Sequence, residues 1–415
     1  MLTRRNVLMG AAALAPAVAL DARPAAARAG APALSVTGVA PSQLAPLDDV
    51  LKTYIKEREI SCAQLAVTKN GKLVLARGYR YTDDASIPAV QPTSLFRIAS
   101  LSKNITAAAV LKLAQDGQVS LGTPITTLLD LPTEGDARLR NVTLWRLMQH
   151  TGGWDREISK DYLWLDRTIS KELGVPLPIG HQQIIEYAGA RPLDFTPGSR
   201  MAYSNYGYML LGRVVERVSG RSYESYVKEK LLAPAGITRM RLGRSLRSQA
   251  ARGEVPYFSL YTTTMVMDAS GATVPYPYGG FNMPNQDANG GWLASAPDLV
   301  RWARVFDAPS SILSSLSISR AFAKPEIGVN EHGSWYGCGW WVRQVPGHLN
   351  TWHSGSMPGT YTYMARLQNG VTYAALFNRR EEEGTPDYDV LSSRVNTALG
   401  QISAWPTTDL WSRYF

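Results

Sequence analysis

Cysteine and histidine are scarce, with two cysteines (Cys62 and Cys338) and five histidines in 415 residues. Two thiols cannot build a disulfide framework or a cysteine metal site; one bridge is the most they allow, and sequence says nothing of the distance between them. The histidines (150, 181, 332, 348 and 353) form no His-Glu-x-x-His pattern, so a zinc hydrolase lacks its usual signature. No Gly-x-Ser-x-Gly elbow is present, no internal repeat, and no low-complexity tract beyond an alanine-rich leader. No cofactor and no metal is implied.

Long apolar runs are also missing. The stretch from Val7 to Leu20 is interrupted by Pro16 and falls short of the roughly 18 to 20 residues a membrane span needs. It follows Thr3-Arg4-Arg5 and precedes Ala27-Arg28-Ala29, a layout that resembles a twin-arginine export signal with a small-residue cleavage site. Residues 1–29 are therefore set aside as a leader, and the mature protein is expected to be periplasmic or secreted. Net charge is +9, of which the leader's four arginines and one aspartate supply three. The remaining basic residues are scattered, which argues against a nucleic-acid partner. Hydrophobic content of 45% and charged content of 19% are ordinary for a globular chain.

What is present has a clear order. Leu47, Val50, Leu51, Tyr54 and Ile55 recur at helical spacing, with Ser42 as a possible cap. Cys62–Val67 and Lys72–Tyr79 are expected strands of a hairpin turning at Asn70-Gly71. From Asn104 to about Val305 the pattern is mostly helical, notably over 209–218, 223–232 and 297–306. Strands return at 336–342, 361–367 and 371–377, the last two joined by Asn369-Gly370, and 390–399 closes the chain as a helix. The predicted fold class is α/β, more narrowly α+β. An antiparallel sheet (30–100 plus 325–415) is assembled from both ends and flanked by helices, with a large helical insertion (101–324) and the site between the two. Residues 253–285, rich in Tyr, Pro, Gly and Thr, are too long for an idle loop and are expected to line that site.

Ser100-Leu101-Ser102-Lys103 stands where a loop becomes a helix. Serine is a weak nucleophile unless a neighbour takes its proton, and at i+3 on a helix Lys103 shares its face. Burial would lower the lysine pKa and make it a base, while the helix start offers free N–H groups to a developing oxyanion. The spacing alone is weak, since Ser225-Tyr226-Val227-Lys228 repeats it inside an amphipathic helix. Two further motifs separate the cases. Tyr203-Ser204-Asn205 opens another helix with a phenol able to shuttle a proton and an amide able to hold a carbonyl, although an Asn can equally cap a helix. His353-Ser354-Gly355 lies on an expected strand, where Gly355 permits close backbone approach and His353 faces the substrate, although a strand histidine alone is more often packing.

The three motifs in this order, with "LMQHTGGW" (147–154), "FTPGSRMAYSNYGYMLLGRVVE" (195–216) and "NGGWLASAPDLVRW" (289–302), resemble the penicillin-recognising serine hydrolases. These are the serine β-lactamases and D-alanyl-D-alanine peptidases, and the likeness is to the class C β-lactamase-like branch over nearly the whole mature chain. The resemblance implies Ser100 as acylated nucleophile and Lys103 with Tyr203 as the proton-transfer network. It implies Asn205 as orienter of the substrate amide, and His353, Ser354, Gly355 and Ser356 as the substrate-binding strand. The backbone N–H groups of Ser100 and Ser356 would form the oxyanion hole, where one donor typically contributes about 2.7 to 4 kcal/mol. His353 departs from the lysine of that branch's β-lactamases. A histidine of ordinary pKa near 6.5 is largely neutral at pH 7, which argues against efficient β-lactam hydrolysis and resembles D,D-peptidases, D-aminopeptidases and esterases.

The resemblance makes His150 a conformational feature of its loop. Of Trp154, Trp164, Tyr257, Tyr261, Tyr276, Tyr278 and Trp292, two or three are expected to reach a ligand. The expected activity is hydrolysis of an amide or ester, in a D-amino-acid peptide or a small ester, through an acyl-serine. The alternatives are a true β-lactamase and a non-catalytic binder of penicillin or cell-wall peptides. The partner is a small molecule or peptide, cell-wall derived in the favoured case; oligomeric state is open.

Overall fold

The computed structural model describes residues 32–131, 133 and 135–415, so the leader expected over 1–29 lies outside the described residues. Eight strands form one antiparallel sheet: β1 (Ala33–Val39), β2 (Cys62–Lys69), β3 (Lys72–Thr82), β4 (Ser334–Tyr336), β5 (Trp341–Val345), β6 (His348–Met357), β7 (Thr360–Arg366) and β8 (Val371–Phe377). Their spatial order is β1-β3-β2-β8-β7-β6-β5-β4. The β2–β8 pairing, Lys69 opposite Val371 through Ala63 opposite Phe377, therefore joins the two ends of the chain.

Both central strands are buried except at Lys69, the last residue of β2, and their side chains alternate between two cores. Ala63, Leu65 and Val67 with Tyr373, Ala375 and Phe377 face helices α1 (Ala45–Glu57) and α5 (Val390–Gly400), which contribute Leu47, Leu51, Tyr54, Ile55, Leu391, Val395 and Ala398. Cys62, Ala66, Ala374 and Leu376 face the helical part of the molecule. Each large aliphatic side chain fully buried there contributes roughly 1.5 to 3 kcal/mol of transfer free energy.

The helical part is built around α2 (Ser102–Gln115), which is buried on nearly every side because Ala107, Ala108 and Ala109 let neighbours approach. Against it packs α3 (Asn205–Ser219), where a Cβ on Gly212 would lie 2.5 Å from the Cβ of Ala288. A short three-stranded sheet of Phe96–Arg97, Trp292–Ala294 and Arg241–Leu242 runs just before α2. Helix α4 (Ala296–Ala303) continues from it onto the β2–β8 centre of the main sheet. Among the described residues no helix is long and apolar enough to cross a membrane.

Two local expectations change. Ser42 does not cap α1; it starts a 3-10 turn (Ser42–Leu44), and the helix begins after Leu44 with no side-chain cap. The strand expected over 336–342 is two strands, because Gly339 bends with φ +77° and a Cβ there would lie 2.5 Å from the Cα of Asn104 on α2. β1 carried no expectation, being an edge strand of mixed exposure. The Asn70-Gly71 turn forms as expected, with φ of +48° and +77°, the backbone of a type I′ hairpin. Cys62 and Cys338 are buried free thiols, with no bridge between them.

Candidate active site

Ser100 sits in a 3-10 turn (Ala99–Leu101) that leads into α2. The preceding segment is clamped from two sides: Ile98 N–H donates to the Trp292 carbonyl at 3.0 Å, and Thr362 Oγ1 donates to the Ile98 carbonyl at 2.9 Å. Ala99 then takes φ +48°, a left-handed conformation costing a non-glycine residue on the order of 1 to 2 kcal/mol. Strained backbone immediately before a half-buried serine presents that hydroxyl instead of letting it turn into the core.

One helical turn on, Lys103 is completely buried and forms no ion pair among the described residues. Its Nζ lies 2.7 Å from Asn205 Oδ1, 2.8 Å from the Asn289 carbonyl and 3.0 Å from Ser100 Oγ. Burial pushes the ammonium well below the ordinary lysine range; Asp161 opposes that shift and Arg156 adds to it. A neutral amine has two N–H donors and one lone pair. Asn205 Oδ1 and the Asn289 carbonyl can only accept, so they take the two donors and the lone pair is left for the Ser100 hydroxyl proton.

Asn205 is free for this because Ser204 caps α3, its Oγ accepting from Gly207 N–H at 3.1 Å. The Asn205 amide nitrogen donates to Asp161 Oδ2 at 2.5 Å, which fixes the orientation of the amide. The Tyr203 ring centroid is 4.8 Å from Lys103 Nζ. Its hydroxyl is buried outside hydrogen-bond geometry with any described group. Burial raises its pKa, and Ser100, the polar side chain near enough to ease ionisation, does not offset that. Burial thus favours a neutral amine and a neutral phenol around one hydroxyl.

The fourth wall is β6. His353 and Gly355 are buried on the face toward Ser100, while Ser354 and Ser356 are half-buried on the other face. A Cβ on Gly355 would lie 2.5 Å from the Ile98 carbonyl and 3.1 Å from the Ala99 Cβ, so this glycine admits the enzyme's own elbow as well as any substrate. β5 pairs with β6 only as far as Trp341 opposite Trp352, whereas β7 pairs on to Met357 opposite Thr360. From His353 to Met357 one edge of β6 therefore has no strand partner, and an extended substrate could add there. His353 Nδ1 is 2.5 Å from the Ser354 carbonyl and must donate to it, so Nε2 accepts from the Tyr336 hydroxyl at 2.9 Å. Burial, with Lys103 adding to it, holds the His353 pKa down to about 3.

The Beta-lactamase family model matches residues 47–394. The chain belongs to the Beta-lactamase family. Among solved structures it is similar to the octameric penicillin-binding protein homologue from Pyrococcus abyssi, 25% identical with TM-score 0.66, over 88% of this chain and 79% of that one. It is also similar to the D-amino acid amidase from Ochrobactrum anthropi SV3, 21% identical with TM-score 0.67, over 88% and 100%. Among curated proteins it matches Protein flp of Staphylococcus aureus strain NCTC 8325 / PS 47 at 27% identity over 193 residues, 46% of this chain and 37% of that one. It matches the probable fimbrial assembly protein FimD, serogroup H1, of Dichelobacter nodosus at 31% over 183 residues, 44% of each. The chain thus spans less than half the length of these curated relatives.

In this Beta-lactamase-family fold several site groups carried no signal in the sequence. Asp161 and Tyr336 belong to no motif of the sequence, and Asn289 opens the 289–302 stretch without any role there to mark it; all three reach Lys103 or His353 only through tertiary structure. His150 sits at φ +58° and its Nδ1 accepts the Ser204 N–H at 3.1 Å, which holds the Tyr203-Ser204-Asn205 segment. Its ring packs 4.2 Å from that of Tyr203 and 4.4 Å from that of Tyr336, centroid to centroid. Most of the expected aromatic wall is core: Trp292 donates to the Tyr223 hydroxyl, and Trp154 packs edge-on to Tyr206. Trp164 and Tyr276 differ, packing on Phe281 beside the small cluster of Ala99, Met283 and Met357 under the Ala99–Leu101 turn.

Proposed function

We propose that the protein is an exported serine hydrolase that cleaves an amide or ester, in a D-amino-acid peptide or a small ester, through a covalent acyl-Ser100 intermediate. The observation that carries this is the Lys103 amine, buried, with two of its three directions committed to acceptors and the third on Ser100 Oγ at 3.0 Å. As Oγ attacks the carbonyl carbon, its proton passes to Lys103 Nζ. The oxyanion forms against the backbone N–H groups of Ser100 and Ser356. Collapse breaks the bond to the leaving group, which receives the proton through the Tyr203 phenol. Water then attacks the acyl ester, gives a proton back along the same path and frees Ser100. Asn205 orients the substrate amide, and neutral His353 forms a rigid end to the open edge of β6.

Fold neighbours include a D-amino acid amidase complexed with D-phenylalanine, an analogy that supports small amides without choosing among them. The test is labelling with a fluorophosphonate and a fluorescent penicillin. Wild type should incorporate one label per chain and Ser100→Ala none; equal labelling of both sinks the assignment. Turnover of p-nitrophenyl butyrate and a D-alanyl amide panel, with nitrocefin alongside, separates esterase, peptidase, β-lactamase and non-catalytic binder. Amino-terminal sequencing of secreted protein tests export, with cleavage expected near residue 29.

A further inference from the structure

The positive charge in this cleft does not come from the groups the motifs supply. Lys103 is desolvated and lies on its acceptors, and His353 has both ring nitrogens engaged by Ser354 and Tyr336. Arg156 stands over the Tyr203 ring from the loop that follows His150, its guanidinium carbon 5.2 Å from the centroid. The side chain is 14% exposed, and its ion-pair partner is Glu157, at 3.4 Å from Nε and itself 66% exposed. A pair with so exposed a carboxylate is weak and yields readily to another anion. Among the described residues the guanidinium donates no hydrogen bond and its ion pair is with Glu157, so the Nη donors beside the Tyr203 ring are uncommitted to other protein groups. Its field reaches Lys103, His150, Asp161 and Tyr203 together, which places it within the catalytic cluster and not on an outlying surface. The other nearby carboxylates are taken: Asp155 pairs with Arg200 at 2.7 Å, and Asp161 accepts from Asn205.

We propose that Arg156 is a specificity residue that binds a carboxylate of the substrate beside Tyr203, so that the preferred substrates are anionic amides or esters. This rests on the acyl-Ser100 reading for the position of the scissile bond, and adds to it the charge of the substrate. A planar, bidentate carboxylate matches the guanidinium fork, and a substrate presenting a free ammonium to that place would be repelled. The carboxylate can belong to the acyl part or to the leaving group.

Two substrate pairs separate those sources. For the acyl side, p-nitrophenyl hemiglutarate is compared with p-nitrophenyl butyrate; for the leaving-group side, an N-acetyl-D-alanyl depsipeptide with a free terminal carboxylate is compared with its carboxamide. The readout is the ratio of kcat/KM for the anionic over the neutral member. In the pair whose carboxylate meets Arg156, wild type should favour the anion, Arg156→Gln should cut the ratio at least tenfold, and Arg156→Lys should retain part of it. Binding of glutarate against glutaramide by calorimetry reads the same preference without turnover. Should wild type show no anionic preference in either pair or in binding, or should Arg156→Gln leave every ratio within twofold, the assignment is overturned. Absence of fluorophosphonate labelling at wild-type Ser100 would overturn the acyl-enzyme reading instead, and the glutarate comparison would still decide Arg156.

Discussion

The chain contains the Ser-x-x-Lys spacing twice, and the two copies have become different objects. Ser225 lies in a short helix (Tyr223–Val227) whose cap, Ser222, engages both its N–H and its hydroxyl, at 3.3 and 2.8 Å. Lys228 is 45% exposed and pairs with Glu224 at 2.6 Å. At Ser100 and Lys103 the same i, i+3 geometry is enclosed: the lysine has lost water, carries no ion pair among the described residues, and meets two carbonyl-type acceptors and one hydroxyl. Spacing supplies only the shared helix face. The difference in chemistry comes from desolvation, which favours the neutral amine, and from acceptors that orient its lone pair.

Removing each serine tests the contrast at its largest. Ser100→Ala should lower hydrolysis by about 10⁴-fold or more, the scale on which a serine hydrolase fails without its nucleophile. Ser225→Ala should leave kcat/KM within a factor of two, measured on the same ester. Exchanging the lysines comes next. Lys103→Met should cost roughly 10²- to 10⁴-fold in acylation, the usual range for a positioned acid–base group, with the loss in the rate of fluorophosphonate labelling. Lys228→Met should not change that rate, and a comparable loss at both sites would erase the distinction drawn here.

Legibility followed the range of the interactions. The hairpin at Asn70-Gly71, the alternation in β8 and the helix from Val390 are local patterns, and they could be read from neighbouring residues. Ser100, Lys103, Tyr203 and Asn205 were legible as types because each stands at a helix start with a residue whose chemistry is conspicuous. What could not be read was how Asn205 is used: its amide spans Lys103 and Asp161, two residues far from it in sequence. Tyr336 reads as ordinary strand, yet its hydroxyl meets Nε2 of His353, whose tautomer is set by the Ser354 carbonyl at Nδ1. Gly355 was read as room for substrate; the contact that demands a glycine is the carbonyl of Ile98, which only the closed sheet brings near. Gly339 ends a strand for the same reason, since the helix it meets begins more than two hundred residues earlier.

A smaller effect sharpens the account of Lys103. Asp161 raises the lysine's pKa against the effect of burial. The proposed mechanism requires the neutral amine, so kcat/KM should rise with pH as Lys103 loses its proton, well below the ordinary lysine range. Asp161→Asn keeps an oxygen acceptor for Asn205 but removes the charge. The acid limb of the pH profile should move to lower pH in this variant, and a shift to higher pH would mean that the limb reports some other group.

The smallest expected effect lies in stability, and it concerns the histidine that stands beside this lysine. His353 titrates at about 3 in the folded protein because of its burial, whereas an unfolded chain protonates an ordinary histidine near pH 6.5. The folded pKa is the lower one, so the contribution of neutral His353 is fully present above about pH 6.5 and is lost as the pH falls from there toward 3, at up to ~1.4 kcal/mol per pH unit. Urea midpoints between pH 7 and pH 5 should therefore decline for wild type, with His150, likewise depressed by burial, adding to the slope. His353→Gln removes one titrating group while its amide can still meet the Tyr336 hydroxyl, so its midpoint should decline less steeply. Equal slopes would place the proton uptake elsewhere and remove the ground for treating His353 as a fixed neutral wall, which is the premise that leaves Arg156 as the cation of the cleft.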